Sequence, residues 1–158
     1  MTYSIRAFAP GDAETLAELT LAAIKQVGAV SYTPEQVTAW AARHPGPERF
    51  LARAEAGHTI WVACETGNQA VAYALMEPGG HLDMLYCHPD HTRKGLADRL
   101  LEQAETYALS EEIGMLYTQA SELARPAFER AGYSVTERRD FEIEGIAIYN
   151  FAMEKPLK

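Results

Sequence analysis

The spacing of apolar and polar positions divides this chain into short segments of changing period. Residues 3–8 alternate and predict an edge-type strand. Pro10-Gly11-Asp12 breaks it, with Asp12 placed to cap a helix whose apolar face is Leu16, Leu19, Ala23, Ile24 and Val27. Gly28 is positioned to end that helix. A second helix start is written at Thr33-Pro34-Glu35-Gln36: Thr33 is the cap, Pro34 the first helical residue and Gln36 the capping-box partner. That helix is expected to reach about residue 43, before His44-Pro45-Gly46-Pro47, and another short one to cover about 47–56. Two strands follow over 59–65 and 70–77. The first sets Ile60, Val62 and Cys64 against Trp61 and Ala63, the second Val71, Tyr73 and Leu75 against Ala72, Ala74 and Met76. Later segments predict strands at 115–118, 133–140 and 145–153 and a helix over 123–131.

Residues 81–109 carry the most information. His81 to Cys87 reads as a strand with Leu82, Met84 and Tyr86 on one face and Asp83, Leu85 and Cys87 on the other. After the turn His88-Pro89-Asp90-His91 the period becomes helical from Thr92, with Leu96, Ala97, Leu100, Leu101, Ala104, Tyr107 and Ala108 on one side. A helix start has unpaired N–H groups and partial positive charge, so acidic residues normally gather there. Here the chain offers Thr92-Arg93-Lys94-Gly95 instead. Cations at that position oppose the helix dipole unless an anion takes the amides, and Gly95 lets an anion approach closely. A solvated basic turn is the plainer alternative, and neither a Walker-type nor a Rossmann glycine pattern is present to decide.

Composition narrows the class. A chain of 158 residues, 47% apolar, predicts one domain spanning residues 1–158 with a proper core. It contains no apolar run near the ~18 residues of a membrane span and no signal-like start, so a cytoplasmic protein with no membrane partner is expected. The two cysteines, Cys64 and Cys87, read as reduced thiols. A net charge of −8 argues against nucleic acid as a partner and is compatible with a cationic substrate, and equally with a plain solubility role.

The run Leu85-Tyr86-Cys87-His88-Pro89-Asp90-His91-Thr92-Arg93-Lys94-Gly95-Leu96-Ala97 resembles the acetyl-CoA motif of the GNAT superfamily of N-acetyltransferases, a strand followed by Gln/Arg-x-x-Gly-x-Gly/Ala. Ala124-Arg125-Pro126-Ala127-Phe128-Glu129-Arg130-Ala131-Gly132-Tyr133 is similar to the same family's later helix. The resemblance implies an α+β (mixed α/β) fold, a mostly antiparallel twisted sheet of six to seven strands flanked by helices, in the order β-αα-βββ-α-β-α-ββ. It implies acetyl-CoA as co-substrate, with the pantetheine along Leu85, Tyr86 and Cys87 and the diphosphate on the amides of Thr92, Arg93, Lys94, Gly95, Leu96 and Ala97. An amine would attack the thioester directly in a ternary complex.

Thr92 replaces the family's Gln/Arg, which leaves that position a main-chain role and a hydroxyl. Phe128 stands where many members carry a tyrosine that protonates the departing thiolate, and a phenyl ring donates no proton. Water or another group then serves, or the thiolate leaves unprotonated, or turnover has been lost; as structure, Phe128 is a core or cofactor-packing residue. Ser121 occupies the place of a pantetheine-binding asparagine and can also cap a helix. His81 aligns with a catalytic glutamate of some members, and Asp83 follows on the same face; either is a candidate base, and either can be a surface or binding group. Tyr32, Trp40 and Tyr149 lie in the segments that form the family's acceptor pocket. Cys87, His88 and His91 match no recurrent metal spacing, so no metal is expected. The reading is an acetyl-CoA-dependent N-acetyltransferase acting on a primary amine, small or peptidyl; the alternative is a coenzyme-binding regulatory module without turnover. A homodimer through the final strands fits the sequence without being required by it.

Overall fold

The computed structural model describes residues 2–44 and 46–157; Pro45 of the anticipated break lies outside them. Four strands, β1 (Ser4–Ala7), β2 (Thr59–Cys64), β3 (Ala70–Met76) and β4 (Leu82–Cys87), form one antiparallel sheet in the order β1-β2-β3-β4. Three more, β5 (Met115–Ala120), β6 (Ser134–Ile143) and β7 (Ile146–Pro156), form a second in the order β5-β7-β6. The helices are α1 (Ala13–Ala22), α2 (Pro34–Ala41), α3 (Glu48–Glu55), α4 (Leu96–Ser110) and α5 (Arg125–Arg130). This is the implied element order with one more helix before β2. Among the described residues no helix is long and apolar enough to cross a membrane.

The two sheets touch where β4 and β5 begin. His81 and Tyr117 make a single parallel bridge, the Tyr117 N–H donates to Gly80 O at 3.1 Å, and the buried Thr118 hydroxyl donates to Leu82 O at 2.7 Å. Gly80 permits this approach: its φ is +106°, and a Cβ there would lie 2.5 Å from Met115 O. Beyond the contact β4 and β5 are not ladder neighbours, so the seven strands form two sheets meeting at an apex rather than one continuous sheet.

In the four-stranded sheet, strand alternation holds except at two bulges. β2 and β3 are buried on both faces, because α4 covers one side and α1 with α3 the other. Trp61, Ala63, Ala72, Ala74 and Met76 pack with Leu96, Leu100, Leu101, Ala104 and Ala108, whereas Ile60, Val62, Cys64, Tyr73 and Leu75 pack with Leu16, Leu19 and Phe50. Ala63 pairs with Ala72 but Cys64 with Ala70, so Val71 is an extra residue and joins the α4 side, opposite to the expectation from simple alternation. Likewise Leu75 pairs with Met84 but Met76 with Leu82, leaving Asp83 as the extra residue. Leu82 therefore packs on the α4 side while Met84 packs on the other. Fully burying each of Leu96, Leu100 and Leu101 contributes about 1.5–3 kcal/mol.

Helix boundaries follow local chemistry, with departures from expectation at α1, α4 and α5. Asp12 does not cap α1. Its carboxylate accepts the Ala9 N–H at 2.8 Å and pairs with Arg6 at 2.8 Å through both oxygens, closing the short 3-10 turn before the helix. Gly28 does not end the helix in a left-handed turn: the chain passes through a π turn at Ala23–Val27 and a 3-10 turn at Gly28–Val30. What requires glycine there is Trp40, whose ring carbon would lie 3.2 Å from an added Cβ. α4 begins at Leu96 rather than Thr92, with left-handed Gly95 before it. α2 starts as anticipated, the Thr33 hydroxyl accepting the Gln36 N–H at 3.1 Å and the Gln36 side chain accepting the Thr33 N–H at 2.9 Å.

Candidate active site

Past the apex, β4 presents a free edge toward β5. The His88 N–H donates to Val71 O at 2.8 Å, so by antiparallel alternation Tyr86 turns its main-chain groups to β3, while Leu85 and Cys87 turn theirs outward. Of the main-chain groups expected to contact a ligand, those of Leu85 and Cys87 face the gap and those of Tyr86 do not. A cavity of about 160 Å³ adjoins this edge, lined among others by Leu85, Tyr86, Cys87, Thr92, Ala97, Ser121 and Ala127. The π turn lies on its far wall through Ala23 and Val27.

The loop leading to α4 is wound by two left-handed residues, Arg93 at φ 62° and Gly95 at φ 78°. Glycine adopts this conformation freely, but arginine gives up about 1 kcal/mol in it, the kind of local strain that collects at ligand loops. Nothing approaches within 4 Å of the space a Gly95 side chain would fill. The first amides of the 15-residue α4 therefore open onto solvent beside Arg93 and Lys94, a fit for a diphosphate. The Thr92 hydroxyl is committed to Pro89 O at 3.1 Å.

A second and larger cavity, about 530 Å³, opens on the other side of β4. Tyr32, Trp40, Tyr86 and Tyr149, contributed by four separate segments, form its aromatic wall. Trp40 Nε1 donates to the Tyr86 hydroxyl at 3.2 Å, and Tyr32 and Trp40 meet edge to face with centroids 5.5 Å apart. The Tyr32 hydroxyl donates to Tyr149 O at 3.0 Å and accepts the Glu122 N–H at 2.9 Å. Tyr149 donates to Glu122 Oε2 at 2.8 Å, which pushes its phenol up to about 12. Burial raises the Tyr86 phenol well above its ordinary value, so it stays protonated. Leu85, Tyr86, Trp40, Ser121 and Ala124 line both cavities; the two spaces meet there.

His81 and Asp83 occupy different positions relative to this junction. His81 is tied at both ring nitrogens, Nδ1 to Glu77 at 2.8 Å and Nε2 to Gln119 at 2.7 Å, and stacks on Tyr117. It does not line the larger cavity, whereas Asp83 does. Arg53 joins the two, meeting Asp83 at 2.9 Å and Glu77 at 3.1 Å. Ligand atoms of Glu77, His81 and Asp83 lie within 4.8 Å of one another, the one such cluster among the described residues. The Arg53 guanidinium already supplies the cationic charge between its carboxylates.

Phe128 is 2% exposed and packs edge to face on Tyr133. The Ser121 hydroxyl accepts the Ala124 N–H at 3.1 Å, capping the turn before α5, which starts at Arg125 rather than Leu123. Burial raises the Cys87 thiol to about 11, which keeps it protonated and a poor nucleophile. His91 bonds Tyr3 at 3.0 Å and Glu65 at 3.2 Å, spending both nitrogens on structure. Sequence reasoning missed His44, Arg43, Arg49 and Arg139, all on the wall of the larger cavity. They come from a helix end, a connecting segment and a distant strand, and no local spacing joins them.

Comparison with known proteins agrees with this geometry. The Acetyltransferase (GNAT) domain family matches residues 29–155. The uncharacterized N-acetyltransferase YafP of Escherichia coli (strain K12) is 29% identical over 150 residues, covering 94% of this chain and 93% of that protein. A GCN5-related N-acetyltransferase from Rhodopseudomonas palustris superposes with a TM-score of 0.90 at 31% identity, over 99% of this chain and 97% of that one. The PaiA N-acetyltransferase from Thermoplasma acidophilum, solved in complex with coenzyme A, shares the fold at a TM-score of 0.77 and 21% identity, with 99% of each chain covered. The chain belongs to the GNAT acetyltransferase family.

Proposed function

We propose that this protein transfers an acetyl group from acetyl-CoA to a primary amine within a ternary complex. The observation that carries this reading is the meeting of two cavities at Leu85, Tyr86 and Ser121, one beside a basic helix start and a free strand edge, the other walled by aromatic rings. Acetyl-CoA would supply the activated acetyl group. The amides at the start of α4, with Arg93 and Lys94, would hold its diphosphate, and the outward main-chain groups of Leu85 and Cys87 would bond the pantetheine as an added strand does. A Leu85 or Cys87 N–H in that position can polarise a carbonyl.

An ammonium of pKa near ~10.4 must lose a proton before its nitrogen attacks. Asp83 is the candidate acceptor, directly or through water, because its carboxylate reaches the cavity wall while both nitrogens of His81 are engaged elsewhere. As C–N forms and C–S breaks, the protonated Tyr86 hydroxyl is the candidate hydrogen-bond donor to the leaving sulfur, a task Phe128 cannot perform. Packing of Phe128 into the core also keeps a second reading open, a coenzyme-binding module without turnover.

Titration calorimetry with acetyl-CoA followed by free-thiol release over a panel of amines tests both. Saturable binding with amine-dependent thiol release is expected. Binding with silence from every amine supports the second reading, and failure to bind removes both.

A further inference from the structure

We propose, building on the acetyl-transfer reading above, that the acceptor is a small amine that itself carries an oxyanion, best met by an apolar or aromatic α-amino acid. Arg43, Arg49 and Arg139 receive its carboxylate and the aromatic wall takes its side group. The argument starts from charge. The chain holds 22 acidic and 14 basic residues, so an arginine has abundant carboxylates to choose from. Arg6, Arg53, Arg125, Arg130 and Arg138 each pair with one. Among the described residues Arg43, Arg49, Arg93, Arg99 and Arg139 form no such ion pair; Arg93 and Arg99 lie at the start of α4, and the other three line the 530 Å³ cavity.

Their hydrogen-bond partners are neutral. Arg139 Nη1 donates to Asn150 Oδ1 at 2.9 Å with its guanidinium 5.1 Å from the Phe141 ring centroid, and Arg49 donates to the main-chain oxygen of Arg43. His44, between them in the cavity, feels these charges: after burial, Arg49 and Arg43 are what hold its imidazole down, to about 4, against an opposing pull from Asp83. The resulting positive locus has no internal counter-charge of matching size. Asp83 lines the cavity but already shares its charge with Arg53 at 2.9 Å. Glu142 also lines the cavity but is exposed, so the three guanidinium groups face one solvated carboxylate and one already paired.

A guanidinium meets a carboxylate through two parallel hydrogen bonds, and the half-buried Arg49 and Arg139, with the exposed Arg43 beside them on the cavity wall, gain from an anion brought in from solution. The donor's diphosphate does not answer this need, because no residue of 88–97 lines this cavity. The volume suits a small molecule. Tyr32, Trp40, Tyr86, Phe141 and Ile148 offer an apolar or aromatic side group its surface, while Asp83 on β4 stands ready for the amine.

The test compares phenylalanine, its phosphonic analogue, phenylalaninamide and phenethylamine as acceptors, with calorimetry of each in the presence of coenzyme A. The amide keeps the ring and an easily deprotonated amine but removes the anion. Phenylalanine is expected to show a kcat/KM at least about tenfold above the amide, carried by KM, as one charge-assisted contact implies. The phosphonate arm reports whether a bulkier oxyanion is accepted in place of carboxylate. Arg49→Gln and Arg139→Gln should each narrow the phenylalanine-to-amide ratio about tenfold, a change in ratio that mere loss of fold would not produce. Equal or better use of the amide or of phenethylamine overturns the proposal. So does silence of all four while coenzyme A binds, whereas failure to bind coenzyme A sinks the acetyl-transfer reading beneath it.

Discussion

Asp83 and His81 sit two residues apart and share one network through Glu77 and Arg53, yet only one of them reaches the space where an amine would stand. Exchanging Asp83 for Asn should lower kcat/KM by about 10²-fold or more, at the lower end of what a positioned base contributes. His81→Gln should cost less than about fivefold, since the ring acts only on Glu77 and Gln119. Initial rates on a responsive amine, with circular dichroism confirming the fold, separate the two, and a larger loss at His81 would reverse the assignment. Both were candidates in the sequence because the family resemblance sets His81 where some members carry a catalytic glutamate and Asp83 follows it on the same strand face. The choice between them was not legible there, since both are partnered in the fold and it turns on which of them lines the cavity. The same holds for Arg49 and Arg139, visible only as two more cations in an acidic chain until the fold brought them together.

Elements were easier to read than their edges. The capping box of α2 and the apolar stripe of α4 are short-range patterns, and the structure keeps them. Val71 and Leu82 fall on the faces opposite to those simple alternation gives them, because a bulge is decided by the neighbouring strand, which the strand's own sequence does not describe. Helix periodicity likewise extends α4 back to Thr92, whereas the left-handed Arg93 and Gly95 hold its start at Leu96. The tightest requirement at this scale is Gly80, where the two sheets meet. Gly80→Ala combines a disfavoured φ with a 2.5 Å clash against the β5 backbone and should destabilise by about 3 kcal/mol or more. Gly79→Ala has a similar φ, 99°, but open space around it, and should cost only about 1–2 kcal/mol. Urea unfolding of the pair distinguishes steric closeness from backbone strain.

Across the whole molecule the family fold, with its six to seven strands flanked by helices, and the order of elements were legible, whereas the burial of β2 and β3 on both faces and the division into two sheets were not. Stability against pH is also a property of the whole chain. Folded His44 takes its proton near 4, an unfolded histidine near ~6.5, so between those values the unfolded state binds more protons. That contribution is complete above about pH 6.5 and falls as pH drops toward 4, by on the order of 2 kcal/mol. Chemical denaturation across this window should show the decline, and His44→Gln should flatten it; an unchanged slope in the variant would place the loss elsewhere. The apex at Gly80 and Thr118 has a mechanical consequence as well. Asp83 and Tyr86 ride on one sheet, Arg139 and Tyr149 on the other, and the two bond strand to strand at one end only, side chains of Trp40 and Tyr32 linking them elsewhere. A small rotation about that fulcrum changes little at Leu82 and progressively more toward the open mouth. The reach between the proton acceptor and the guanidinium wall, and with it the length of amine accommodated, is thus governed by substitutions at the pivot that never touch a bound molecule.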